Sequence, residues 1–262
     1  MGNTRLGKKR LIAVCGKGGT GKTASIALMT RALAEHPATG NLLLIDADPA
    51  MGLLSALGVE VRKTMGEVRE SVILTSKRGN SEEKANIGNM LDYMIFEALT
   101  ELDQFSVLAM GRTETLGCFC PVNTLLRNAI EALSDNFDTI LIDGEAGLEQ
   151  INRQVVKELH TLLVISDPTS RGMETAAMIR KMIEEDKVIR CEKFALVFNR
   201  VRGNEDYLQE SAAKLGIELA GLVPFDENIA QFDLVGKAIT DLPNDSSSLE
   251  SYRRIVAEYI LA

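Results

Sequence analysis

Short runs of consecutive apolar residues recur along the chain, and between them lie longer stretches whose apolar positions return at helical spacing. Leu11–Cys15, Leu42–Ile45, Phe105–Met110, Thr139–Ile142, Thr161–Ser166, Phe194–Asn199 and Ile217–Val223 read as strands. Apolar character without alternation marks strands buried on both faces of a parallel sheet. Ala24–Glu35, Tyr93–Leu102, Met173–Glu185, Glu205–Leu215 and Leu249–Ala262 read as helices; another starts near Met51 and one ends near Leu133. Val59–Ala85 is charged and reads as a surface excursion, most loop-like over Lys77–Ser81. Strand and helix alternate to the end, which predicts a doubly wound, mostly parallel α/β sheet flanked by helices. No internal repeat or low-complexity tract interrupts the pattern, so residues 1–262 are expected to form a single domain.

Composition narrows the partners. The net charge of −8 argues against a general nucleic-acid binder, which needs a basic face or stripe. No run reaches the length of about 18 apolar residues that would span a membrane. The last helix mixes Glu250 and Glu258 with Arg253 and Arg254, a poor surface anchor. Met1–Arg10 lacks the apolar core of a secretory signal, and Leu6 stands where a myristoylation motif has Ser or Thr. The expectation is a cytoplasmic protein without nucleic-acid or membrane partners.

The candidate chemistry begins where the first strand ends. Gly16-Lys17-Gly18-Gly19-Thr20-Gly21-Lys22-Thr23 fits the phosphate-binding pattern G-x-x-x-x-G-K-[ST]. Glycines let backbone N–H groups turn inward onto phosphate oxygens. Lys22 would reach the β- and γ-phosphates, the Thr23 hydroxyl would ligate Mg²⁺, and the following helix would add its positive dipole. Two further strands end in aspartates. Asp46 and Asp48 follow Leu42–Ile45, where they could serve Mg²⁺ and the attacking water, or could cap the helix starting near Met51. Asp143 ends Thr139–Ile142 at the Walker B position, suited to supporting Mg²⁺, and the small residues Gly144, Ala146 and Gly147 suit a nucleotide switch.

One lysine suffices to hold phosphates in cis, and this loop has a second, Lys17. Gly16–Thr23 resembles the deviant Walker A motif of the MinD/ParA/nitrogenase-iron-protein group of ATPases. The resemblance implies ATP/ADP as ligand and a homodimer in which Lys17 reaches the partner's nucleotide while Lys22 acts in cis. It implies Asp46-Ala47-Asp48-Pro49 as switch I, with Asp48 orienting water, and Asp143-Gly144-Glu145-Ala146-Gly147 as switch II. Asn199-Arg200 and Val223-Pro224-Phe225-Asp226 resemble the base-recognition segments, with Asn199 facing adenine. Within the group, Gly111-Arg112 and Gly117-Cys118-Phe119-Cys120-Pro121-Val122-Asn123 resemble the CooC-type ATPases. Those serve the maturation of nickel-containing carbon monoxide dehydrogenase, and a sister type serves acetyl-CoA synthase.

Cys118 and Cys120 supply two soft ligands, short of the four of a closed site, and a homodimer would bring two pairs together. Pro121 suits a first helical position, which would lower the thiol pKa values beside it. Four thiolates suit Zn²⁺ and planar or mixed sets suit Ni²⁺; the pattern leaves both open. Cys15 reads as core filler, and His36 and His160 as structural. Two other functions stand beside metal delivery. A positioning or partitioning ATPase would need a membrane tail or a basic face. An iron–sulfur scaffold ATPase usually has two residues between its cysteines, where this chain has only Phe119.

Overall fold

The apolar runs become strands, and those in the middle of the sheet, Arg10–Cys15, Leu42–Asp46, Ser106–Ala109 and Thr139–Asp143, are buried on both faces. A computed structural model of the chain describes residues 9–80, 86–112, 131–144, 158–185 and 190–262. Its strands are β1 (Arg10–Cys15), β2 (Leu42–Asp46), β3 (Leu99–Glu101), β4 (Ser106–Ala109), β5 (Thr139–Asp143), β6 (Glu158–Ser166), β7 (Arg190–Val201) and β8 (Glu218–Pro224). They form an eight-stranded sheet in the order β3-β4-β2-β5-β1-β6-β7-β8. Every pairing is parallel except β3 with β4. The predicted doubly wound architecture is therefore observed.

The described helices are α1 (Lys22–Glu35), α2 (Gly52–Leu57), α3 (Met65–Arg78), α4 (Ile87–Ala98), α5 (Ser170–Glu184), α6 (Glu205–Leu215), α7 (Glu227–Leu234) and α8 (Ser247–Ile255). Because side chains alternate along a strand, each apolar run feeds both layers. Ile12 and Val14 join a core with Ile26, Met29 and Leu33 of α1 and with Leu249, Tyr252 and Ile255 of α8. Ala13 and Cys15 join the opposite core, with Val68 and Val72 of α3, Ile95 of α4 and Leu208 of α6. β1 lies between β5 and β6, with β2, β4 and β3 beyond β5 and with β7 and β8 beyond β6. The crevice beyond the carboxyl ends of these strands is where such a sheet receives a ligand.

Three elements differ from the sequence expectation. Val59–Ala85 contains α3, whose Met65, Val68 and Val72 are buried despite the charged composition. A reciprocal cap starts this helix: the Glu67 N–H donates to Thr64 Oγ1, and the Thr64 N–H donates to Glu67 Oε2 at 2.7 Å. The helix expected over Tyr93–Leu102 starts and ends earlier, because Leu99–Glu101 leaves it to pair with β4. α7, unpredicted, follows Asp226, whose side chain accepts from the Asn228 N–H as its N-cap. Among the described residues no helix is long and apolar enough to cross a membrane.

Candidate nucleotide cleft

The loop between β1 and α1 has a shape that only glycine permits at its two ends. Gly16 has φ 140°, and a Cβ there would meet the Ile165 carbonyl oxygen at 2.2 Å. Gly21 has φ 87°, with Asn199 Nδ2 at 2.6 Å from the position of a Cβ. Between them the loop bonds to itself. Thr20 Oγ1 donates to the Lys17 carbonyl at 2.9 Å, and Lys22 Nζ donates to the same oxygen at 3.2 Å. Lys22 thus lies over the loop, at the first turn of α1. Gly18 and Gly19 are exposed, and Lys17 is half-buried.

β7 holds the loop from outside. Asn199 Nδ2 donates to the Thr20 carbonyl at 2.9 Å, and Arg200 Nη1 donates to the Gly19 carbonyl at 3.0 Å. Asn199 is 5% exposed, and Arg200 takes a left-handed backbone conformation with φ 59°. A non-glycine residue in that region carries strain that its surroundings must offset.

Two cavities meet at this clamp. One, of about 330 Å³, is lined by Gly19, Gly21, Lys22 and Thr23 from the loop side and by Gly52 and Ser55 of α2. The other, of about 300 Å³, is lined by Asn199, Pro224, Phe225 and Asp226. Gly21, Ala24, Arg200, Ile229 and Asp233 line both, so the two make one cleft with a phosphate-like end and an apolar-walled end. Asp226 lines the second end with its carboxylate engaged: Oδ1 accepts from the Asn228 N–H and Oδ2 from the Ser246 hydroxyl at 2.7 Å. These hydrogen bonds hold its pKa below the usual carboxylate range against an opposing burial effect. Asp233 and Lys237 line the cleft from α7 and the turn after it, and no sequence motif pointed to them. Only the path of the chain after Asp226 brings them there.

The aspartates lie at the strand ends. Asp46 and Asp143 face each other in register across β2 and β5 and are 0% and 2% exposed. Burial, more than the nearby Asp143 and Asp48, pushes the Asp46 carboxyl up to about 7. Asp46 Oδ1 accepts from the Asp48 N–H at 3.0 Å; among the described residues its buried Oδ2 makes no hydrogen bond within 3.5 Å, and the Leu53 backbone N–H faces the carboxylate. Asp48 Oδ1 accepts from the Ala50 N–H at 2.8 Å, which shapes the turn into α2; the position before α2 is Met51. Neither aspartate therefore occupies the N-cap position itself. Thr23 lies among the cavity-lining residues.

Cys118 and Cys120 lie outside the described residues, as do Glu145, Ala146 and Gly147 of switch II. The chain enters the cysteine segment from Arg112, whose Nε donates to the Pro49 carbonyl at 3.4 Å, directly after Asp48. Among the described residues no group of three or more His, Cys, Asp or Glu is placed to share a metal ion. Cys15 is wholly buried and burial pushes its thiol up to about 12, which fits a packing role.

The clamp makes a prediction. Gly21→Ala should weaken nucleotide binding about tenfold, because a Cβ at positive φ costs about 1–2 kcal/mol. It would also press on Asn199. Titration calorimetry with ADP checks this; unchanged affinity would mean that the loop does not need this shape.

Comparison with known proteins gives the same picture. The CobQ/CobB/MinD/ParA nucleotide binding domain (CbiA) matches residues 11–239. An uncharacterized ATP-binding protein of Methanocaldococcus jannaschii is 38% identical over 257 residues, covering 96% of this chain and 98% of that protein. The carbon monoxide dehydrogenase accessory protein CooC of Rhodospirillum rubrum is 28% identical over 245 residues, covering 88% of this chain and 89% of that protein. Among solved structures, the septum site-determining protein MinD complexed with Mg-ADP from Pyrococcus horikoshii shares the fold. It has TM-score 0.68 at 20% identity and covers 96% of each chain.

Proposed function

Because the chain belongs to the CobQ/CobB/MinD/ParA nucleotide-binding family, we propose that it hydrolyses ATP to ADP and phosphate as a homodimer. Closure on ATP and reopening after hydrolysis gate metal transfer into a nickel enzyme client, carbon monoxide dehydrogenase or acetyl-CoA synthase. The observation that carries the ATPase reading is the single cleft that joins the glycine loop to the Asn199–Asp226 end. The likeness to CooC over most of both chains, together with the Cys118–Cys120 pair, supports the metal-handling reading.

In this reading the loop N–H groups and Lys22 hold the phosphates, and the base lies between Asn199, Arg200 and Pro224. Asp233, common to both ends of the cleft, stands beside the ribose. The donors at the phosphate end are hard oxygens, and the Asp46 Oδ2, without a hydrogen bond within 3.5 Å among the described residues, lies beside the facing Asp143. Such a set fits Mg²⁺ rather than a soft metal. Thr23 and Asp143 would hold that ion, which would neutralise charge on the phosphates. Asp48 orients the attacking water, and Lys17 adds its charge to the partner protomer's nucleotide. Cys118 and Cys120 of two protomers would hold Ni²⁺ or Zn²⁺ at the two-fold axis.

Light scattering combined with elemental analysis tests the reading, with and without ATP and with Ni²⁺ or Zn²⁺ offered. One metal ion per dimer is expected, lost in Cys118→Ala/Cys120→Ala while nucleotide affinity stays nearly unchanged. Lys17→Ala should bind nucleotide and remain monomeric with ATP. A double cysteine variant that still bound stoichiometric metal would remove the proposed metal site. An ATP-dependent dimer without metal would favour a positioning ATPase.

A further inference from the structure

The sheet has two ends, and they are treated differently. β3 is three residues long and antiparallel, a short edge with little to offer another strand. β8 is seven residues long, pairs with β7 alone and ends the strand order. Among the described residues no backbone or side-chain group pairs with its outer side between Leu219 and Leu222. Those four residues, Leu219-Ala220-Gly221-Leu222, are uncharged and only half-buried. The usual protections of a free edge, a lysine or an inward charge, are missing from this stretch.

A groove of about 500 Å³ runs along that edge. Its walls come from helices on opposite faces of the sheet. α6 packs on one face through Leu208 and Ala212, and α8 on the other through Leu249 and Ile255. Each wall presents side chains one helical turn apart: Glu205 and Gln209 from α6, and Glu250, Arg254 and Glu258 from α8 and the π-helical turn after it. Three carboxylates against one guanidinium leave the walls net negative. All four charged side chains are exposed, and none is within 4 Å of an opposite charge among the described residues; Glu250 feels Arg253 on the same helix, which Glu35 already pairs. Neighbouring charges on the same helices are paired, Lys214 with Glu210 and Arg253 with Glu35. A Cβ on Gly221 would meet Ile255 Cγ1 at 2.7 Å, so α8 lies directly against the strand and leaves the edge side as the open one.

We propose that the outer edge of β8 is a docking site for an extended, basic segment of a partner protein, which adds to the sheet as a further strand. Main-chain hydrogen bonds from Leu219–Leu222 supply affinity without demanding sequence, and the carboxylates on the two walls select lysine or arginine. At about 3.3 Å per residue, the open stretch accommodates roughly four to six residues of peptide. Pairing stops at Pro224, which has no N–H to donate and which also lines the base end of the nucleotide cleft.

The test uses the full chain, isotopically labelled for NMR, and the acetylated, amidated peptide Lys-Val-Lys-Val-Lys as probe. The Leu219–Leu222 amide resonances are expected to shift, and hydrogen exchange to slow at those whose N–H points away from β7. The peptide Glu-Val-Glu-Val-Glu should bind at least tenfold more weakly. Glu250→Lys/Glu258→Lys on one wall and Glu205→Lys on the other should each weaken the lysine peptide about tenfold, and circular dichroism verifies that they fold. Shifts confined to other elements, equal binding of the two peptides, or unchanged affinity in both variants would overturn the proposal. So would protection of these amides that rises with protein concentration alone, since the edge would then serve a second copy of the chain.

Discussion

Lys22→Ala is expected to lower ATP turnover by about 10²–10³-fold, the effect of removing one preorganised donor from a developing charge. In the structure the ammonium donates to the Lys17 carbonyl at 3.2 Å. That contact is a weak claim on it: a carbonyl dipole is readily exchanged for a phosphate, with which charge-assisted bonds are about twice as strong. Because Lys22 is only half-buried, on the first turn of α1, its loss should cost thermal stability no more than about 1 kcal/mol. Phosphate release and a melting curve, measured together, separate chemistry from folding. Turnover within threefold of the parent would mean that the loop does not act on the γ-phosphate.

Asp46→Asn should stabilise the nucleotide-free protein, and only above acidic pH. Burial and the facing Asp143 carboxylate raise the Asp46 pKa from 3.8 to about 7 in the folded state. Between those values the native chain binds more protons than the unfolded one, so stability falls as pH rises. The loss is complete above about pH 7 and, at 1.36 kcal/mol per pKa unit, is on the order of 4 kcal/mol. Asparagine can still accept the Asp48 N–H and carries no charge beside Asp143. Melting in EDTA should therefore show equal stability of the two proteins near pH 4 and a variant several degrees more stable at pH 8. A variant that melts lower at pH 8 would mean that the Asp46 charge is already compensated. A buried like-charge pair is a stability cost that a cation site can offset.

The parts of the fold that could be read from sequence are those in which one physical rule dominates. Leu42-Leu43-Leu44-Ile45 has no polar position, and only a strand with two buried faces uses such a run. The loop Gly16–Thr23 carries its own spacing, and Gly16 and Gly21 make the close approaches that the motif demands. α3 was hidden because Glu67, Arg69, Glu70, Lys77 and Arg78 outweigh the stripe Met65, Val68, Val72, although Thr64 and Glu67 had the spacing of a capping box. β3 was hidden because three residues cannot show a period, and Ile95 and Leu99 continue the helical pattern of α4 past its end. Asp233, Lys237 and Ser55 could not be found by any local pattern. They reach the cleft because α7 and α2 cross it, and that is a property of topology.

Asn199 lines one end of the cleft and Arg200 both, and they hold the carbonyls of Thr20 and Gly19 in the loop. With the base held as proposed, selectivity and affinity would not be separate traits in this protein. A nucleoside that displaced either side chain would also slacken the loop proposed to grip its phosphates, so a mismatched base would be rejected twice. A ranking of nucleotides by affinity would measure each base through a loop which that base has helped to set. Even tripolyphosphate, which has no base at all, would bind to a loop whose tension is fixed from the far side of the site.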